Sequence, residues 1–446
     1  MDFKLFVILV VINTSKFSVC APSRRIVNGH RVYAEKRYMV YLLKSEKSNM
    51  NLYDSWLCGG AIVSPTFILT SAACLSDVTY LYAIAGYDKY VKSEDLDSDP
   101  CTRERKQKIV KTCIPQRYKF SYGNFVWTNI DIGLAIVEKP YDFNDITYRA
   151  HCSYVPGPIR INFSPLTQIN GTDVYVYGWG HALKIRTSGD YQDYNQEYLQ
   201  VTTSRIVEKS YCLTYFKNLT DIINNFMICC TGTAYVFTNG TMDAPISTYN
   251  NGCTRRNANG NCDKPDYLNY DYGFDSRRNA NFTVDKTSHN STDLKGEIVR
   301  RQGVICQNDH GGPLVAWVGS EELVLGVAST SLHSQKLHCI PPHLYTSTQC
   351  TSLFLKCALK DPSASRKSCD EMGKIAGYEI HETEIDWGQH DGNANNDANG
   401  TKTNAIDKDV FNWNPNESDK KNKGDLRTNE ENPNKNIDSV EDVVIL

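Results

Sequence analysis

The chain has 446 residues, with 41% hydrophobic and 22% charged side chains and a formal net charge of −3. That much apolar surface supports one or two sizeable cores and excludes a chain disordered throughout. A charge so near zero gives no global pull toward nucleic acid or an anionic membrane, and the 16 cysteines point to an oxidising compartment.

At the N-terminus, Lys4 precedes the apolar run Leu5–Ile12, which is too short to cross a bilayer, and small residues follow at Ser18 and Cys20. Residues 1–20 read as a signal peptide cut before Ala21, so the mature protein is expected to be secreted and extracellular. No later run reaches the ~18 apolar residues of a membrane span. Loss of Cys20 would leave 15 of the 16 cysteines, an odd number, so one is expected to stay free or to pair between chains.

From Ile26 to about Leu359 the pattern is β. Short alternating runs recur between turns, at Ala61–Val63, Phe67–Thr70, Leu81–Ala85, Ile132–Val137 and Asp173–Tyr177. Pro313–Val318 and Glu322–Val327 read as a hairpin over Gly319-Ser320-Glu321. With no long amphipathic helix between them, the strands predict an all-β barrel or sandwich. Residues 231–300 form a polar insertion. Beyond it, residues 361–446 read as an acidic, Asn-rich and mostly disordered tail. Positions 393–436 alone hold 13 Asn, and Glu382–Leu446 carries 7 basic against 15 acidic residues, too little apolar surface to offset chain entropy.

Five separated motifs fall in one order. They are Arg25-Ile26-Val27-Asn28-Gly29; Leu57-Cys58-Gly59-Gly60 running to Leu69-Thr70-Ser71-Ala72-Ala73-Cys74; Asp131-Ile132-Gly133-Leu134; Gly178-Trp179-Gly180; and Cys306-Gln307-Asn308-Asp309-His310-Gly311-Gly312-Pro313. Together they resemble the trypsin-like serine proteases, over residues 26–360 less the insertion, and in particular the non-catalytic homologues among insect secreted proteins. The resemblance implies two packed six-stranded antiparallel β-barrels with a cleft between them, and a Ser nucleophile, a His base and a buried Asp that orients the His.

Read onto this chain, the base position is Ala73, the carboxylate is Asp131, and the nucleophile position is His310. Two of the three groups are replaced, and the expectation at this point is a pseudo-protease without enzymatic activity. The oxyanion-hole positions are Asn308 and His310. The specificity-pocket positions are Val304 at the floor and Thr330, Ser331 and His343 at the walls, with no carboxylate for a basic side chain and a bulky His343 to fill the space. The activation positions are intact. Arg25 ends a propeptide of residues 21–25, and cleavage after it would free the Ile26 ammonium to pair with Asp309. His310 would either reach toward Asp131 across the space left at Ala73, directly or through a water, or point to solvent.

The resemblance implies the disulfides Cys58–Cys74, Cys212–Cys229 and Cys306–Cys339. Local spacing suggests Cys101–Cys113 and Cys253–Cys262, while Cys152, Cys350, Cys357 and Cys369 stay unassigned. Cys230 is the odd thiol, either available to another chain or buried. Glycosylation sequons occur at Asn162, Asn170, Asn218, Asn239, Asn281, Asn290, Asn399 and Asn416. No ligand spacing suggests a metal, and no cofactor, nucleic acid or membrane span is expected. The expected role is binding in an extracellular proteolytic system, with active proteases or their substrates as partners. Two alternatives remain open: a serine-type endopeptidase with atypical chemistry, and a structural glycoprotein of an extracellular secretion.

Overall fold

A computed structural model describes residues 29–44, 57–238, 243–245 and 297–387, apart from 77, 79, 117, 119–129, 182–184, 187–189, 191, 335 and 374–378. The signal and propeptide assignments, Arg25, Ile26, Cys253, Cys262, Asn239, Asn281, Asn290, Asn399 and Asn416 therefore lie outside the described residues.

The described chain forms eighteen strands. The first part contributes β1 (His30–Arg31), β2 (Met39–Lys44), β3 (Leu57–Ile62), β4 (Phe67–Thr70), β5 (Leu81–Ala85), β6 (Gln107–Pro115), β7 (Gly133–Val137) and β8 (Arg160–Ile161). The second contributes β9 (Asp173–Gly178), β10 (Gln200–Val207), β11 (Met227–Thr231), β12 (Thr233–Thr238), β13 (Asp243–Pro245) and β14 (Glu297–Gln302). The last are β15 (Pro313–Val318), β16 (Glu321–His333), β17 (Cys339–Ser347) and β18 (Ile380–Glu384).

Antiparallel pairing runs β5-β2-β3-β4-β7 and closes through β6, which pairs both β7 and β5. A second ring runs β10-β11-β17-β16-β15-β9 and closes where β9 meets β10. These are two six-stranded barrels, as the sequence motifs imply. The polar insertion is not wholly irregular, because β12, β13 and β14 at its two ends make an antiparallel three-stranded sheet.

The period-2 rule for strands explains why some of them are apolar without interruption. In β2, Val40 and Leu42 point into the first barrel with Ile62, Ile68 and Ala83. The alternate residues Met39, Tyr41 and Leu43 join a second cluster that includes Tyr175, Tyr177, Val315 and Val327 of the other barrel. In β9 the same split puts Val174 and Val176 inside the second barrel and Tyr175 and Tyr177 between the barrels. Both faces of these strands are covered, so alternation of polar and apolar residues disappears. Each such fully buried side chain contributes about 1.5–3 kcal/mol, and the cluster between the barrels fixes the cleft that lies along its edge.

The tail assignment needs correction at its start. Helices Ser352–Ala358 and Arg366–Met372 are joined by the disulfide Cys357–Cys369. The chain then adds β18 antiparallel to β6, with Glu382 opposite Cys113. Beyond the strand, Trp387 is buried, donates its indole N–H to the Ile109 carbonyl at 2.9 Å, and packs its ring 5.0 Å from both Tyr80 and Tyr82. Trp387→Ala should therefore destabilise the first barrel by about 3 kcal/mol, read by urea unfolding; a change under 0.5 kcal/mol would mean the strap carries no packing energy.

The three disulfides implied by the resemblance form: Cys58–Cys74, Cys212–Cys229 and Cys306–Cys339. The expected Cys101–Cys113 pair does not. Asp99 caps the helix Pro100–Arg105 by accepting from the Cys101 and Thr102 N–H groups, and Cys101 bonds Cys152, 51 residues away. Cys113 faces Glu382 instead and is free, as are Cys230 and Cys350. Cys230 lies fully buried inside the second barrel, so it cannot reach another chain there, whereas Cys350 is partly exposed. A maleimide should label Cys350 on the native protein and label Cys113 and Cys230 only after unfolding. Native labelling at all three would contradict the packing.

The three described sequons differ in exposure. Asn162 is largely buried, and its side-chain oxygen accepts from the Ser164 N–H at 2.6 Å. Asn170 and Asn218 are exposed.

Candidate functional site

The cleft is assembled from both barrels. The turn after β4 brings Ser71–Cys74, the segment entering β7 brings Asp131, the turn before β15 brings Asn308–Gly312, and β16 brings Ser329. Asp131 lies between Ile130 and Ile132 in the chain, and all three are buried. An enclosed carboxylate is costly unless its lone pairs are matched. Here Oδ1 accepts the Ala73 N–H at 2.9 Å. Oδ2 accepts the Ser329 hydroxyl at 2.7 Å and contacts His310 Nε2 at 2.8 Å. A carboxylate only accepts, so Nε2 is the protonated nitrogen of the ring in this contact.

His310 thus reaches Asp131 directly, across the space beside Ala73. Its side chain is 14% exposed, and its carbonyl accepts the Gly59 N–H at 2.8 Å, which anchors the turn to β3. Ser329 is a site residue that the motifs did not single out. Its one signal in the sequence is a hydroxyl directly after the apolar stretch Val324–Ala328 and directly before Thr330-Ser331. In chemical terms, Asp131 holds one imidazole and one hydroxyl from the second barrel while its other oxygen is held by a backbone N–H of the first.

Asn308 takes the left-handed conformation, with φ 71°, which Asn tolerates better than most side chains. Its amide donates to Asn195 Oδ1 at 2.8 Å and lies 3.3 Å from His181 Nε2, so the left-handed turn is held by its own side chain.

Asp309 is buried against Gly178 and Gly180. Its oxygens accept the Gly180 N–H at 2.9 Å and the Cys306 N–H at 3.0 Å. A Cβ on Gly180 would stand 2.6 Å from the carboxylate carbon, so the glycines of Gly178-Trp179-Gly180 make room for this side chain. Burial pushes the Asp309 carboxyl up to about 7, against the two N–H bonds that favour the anion.

Val304, Thr330, Ser331 and His343, the pocket positions, are all buried. Cys230 on β11 and Ser331 on β16 stand opposite His343 on either side of β17. Burial holds the His343 imidazole neutral, its pKa pushed down to about 3. Among the described residues no cluster of three or more His, Cys, Asp or Glu stands ready for a metal, and no helix is long and apolar enough to cross a membrane.

Residues 26–239 match the family model for trypsin. Over that stretch the chain is similar to the trypsin-like serine proteases. Over 39% of its length it is 28% identical to clotting factor G beta subunit of Tachypleus tridentatus, covering 50% of that protein. Over 33% of its length it is 30% identical to snake venom serine protease 2B of Craspedocephalus gramineus, covering 45% of that protein. Over 36% of its length it is 25% identical to lectizyme of Glossina austeni, again covering 50%. The chain spans about half the length of these curated relatives. The matches correct one expectation from the sequence. The replacements Ala73 and His310 at two catalytic positions suggested no enzyme; the match to the trypsin family model and the relatives named as serine proteases point toward a protease instead.

Proposed function

We propose that the trypsin-like domain acts outside the cell in a proteolytic system, where it binds an active protease or that protease's substrate as a regulator or cofactor. The observation that carries this reading is the centre of the cleft. The imidazole of His310 is held on Asp131, and Ala73 offers only a backbone N–H to the same carboxylate. The five described disulfides and the signal-like N-terminus support an extracellular setting.

A second reading is a serine-type endopeptidase of atypical chemistry. It is favoured by the relatives named as proteases and by the hydrogen bond that orients the His310 ring, since a general base needs such an orienting partner. One experiment separates the two. The purified chain, before and after cleavage at Arg25, is assayed on a peptide library alone and together with a serine protease from the same fluid. The regulatory reading expects a saturable change in the second protease's rate. Peptide turnover by the chain alone that falls at least 100-fold in Asp131→Asn would select the endopeptidase reading.

A further inference from the structure

Inside the second barrel one of the pocket positions takes no part in the network around Asp131. His343 is 1% exposed, and neither of its ring nitrogens has a hydrogen-bond partner. A neutral imidazole always carries one donor and one acceptor, so a buried ring with neither matched is a site asking for a ligand. Directly opposite it in the β11–β17 ladder stands Cys230, a free thiol that is fully buried. Paired residues of an antiparallel ladder put their side chains on the same face, with Cβ atoms about 4.5–5.5 Å apart. The Tyr345 hydroxyl, two residues along the same face, is a further buried polar atom without a partner.

We infer that Cys230 and His343 form a two-coordinate site for a soft monovalent cation of the Cu⁺ class. Cys230 supplies a thiolate and His343 a neutral imidazole nitrogen. As the metal–sulfur bond forms, the thiol proton leaves to solvent and no electron is transferred. The span suits the pair: metal–sulfur and metal–imidazole bonds of about 2.3 and 2.0 Å bridge facing donors on one cross-strand pair.

Charge selects the metal. Thiolate plus a monovalent cation is neutral, which a dry barrel interior accepts, whereas a divalent ion would leave an uncompensated positive charge. No third His, Cys, Asp or Glu among the described residues joins the pair, and a low coordination number with sulfur ligation favours Cu⁺ over Zn²⁺ or Ca²⁺. Burial keeps either protein group from being charged alone, pushing the Cys230 thiol up and the His343 imidazole down. The other free cysteines do not share the arrangement: Cys113 faces Glu382, and Cys350 is partly exposed, two residues before the helix Ser352–Ala358.

Ag⁺, which needs no reductant, is the probe. It is titrated into the full-length chain carrying Cys113→Ser and Cys350→Ser, and bound metal is counted by native mass spectrometry. One equivalent is expected, falling to none on adding His343→Leu or Cys230→Ser, with Zn²⁺ and Ca²⁺ not retained. X-ray absorption at the silver edge on the loaded protein, with Cys230 and His343 unaltered, should show one sulfur and one nitrogen neighbour. It remains decisive if either variant fails to fold. Sulfur-only ligation, binding unchanged by His343→Leu, or no retained Ag⁺ would overturn the site.

Discussion

Asp131→Ala is expected to destabilise the protein by about 3–5 kcal/mol, the cost of stripping a buried charge network of the group that all its members share. Three donors lose their acceptor at once: the Ala73 N–H, the Ser329 hydroxyl and His310 Nε2. Two of these come from the second barrel and one from the first, so the loss should also loosen the barrels against each other. Asp131→Asn keeps one carbonyl oxygen and should cost less, about 1–2 kcal/mol. His310→Ala leaves the other two donors in place and should fall between about 1 and 3 kcal/mol. Urea unfolding measures all three. An Asp131→Ala protein within 0.5 kcal/mol of the parent would mean that water, not the protein, satisfies this carboxylate.

The second large effect belongs to Asp309. Its carboxyl is pushed from the ordinary 3.8 to about 7 by burial. A group whose folded pKa lies above its unfolded one binds extra protons in the folded state between the two values, so stability falls as pH rises through that window. Between pH 4 and pH 7 the expected loss is about 4 kcal/mol, with no further loss from this group above it. Asp309→Asn should flatten that slope. Cleavage after Arg25, if it delivers the Ile26 ammonium to this carboxylate, supplies the missing countercharge. The cleaved form should then melt higher than the uncleaved one at pH 7. The gap should narrow at pH 5, where the uncleaved carboxyl is already neutral, and vanish in Asp309→Asn. Equal melting of the two forms at pH 7 would remove Asp309 from any activation switch.

The strands were legible because they either alternate or run apolar between clear turns, whereas their closure into two barrels was implied only by the resemblance that the five motifs carry. The contact between His310 and Asp131 was within reach of sequence reasoning, since a missing ring at Ala73 and an added ring at His310 concern one space. Other features were not legible, for physical reasons. Ile380–Glu384 is polar on both faces and mostly exposed, so nothing in its own pattern marks a strand; it is held by the β6 edge and by Trp387, three residues beyond its end. Cys101 was assigned to the cysteine nearest in sequence, but its capped helix packs it in a cluster with Tyr148 and Val155, beside Cys152. The Asn162 sequon gave no sign that its side chain turns inward to Ser164. Ser329 was overlooked because a hydroxyl in an apolar strand is informative only once its acceptor is known.

A double-mutant cycle joining Asp131→Asn and His310→Gln tests the arrangement of the cleft most directly. Unfolding free energies are measured for the parent, the two single variants and the double variant under identical conditions. If the imidazole of His310 is held on Asp131 as the 2.8 Å contact indicates, the two effects are non-additive, with a coupling energy of about 1–3 kcal/mol. Additivity within about 0.5 kcal/mol would show that the two residues act independently, and that the cleft is not built around their bond.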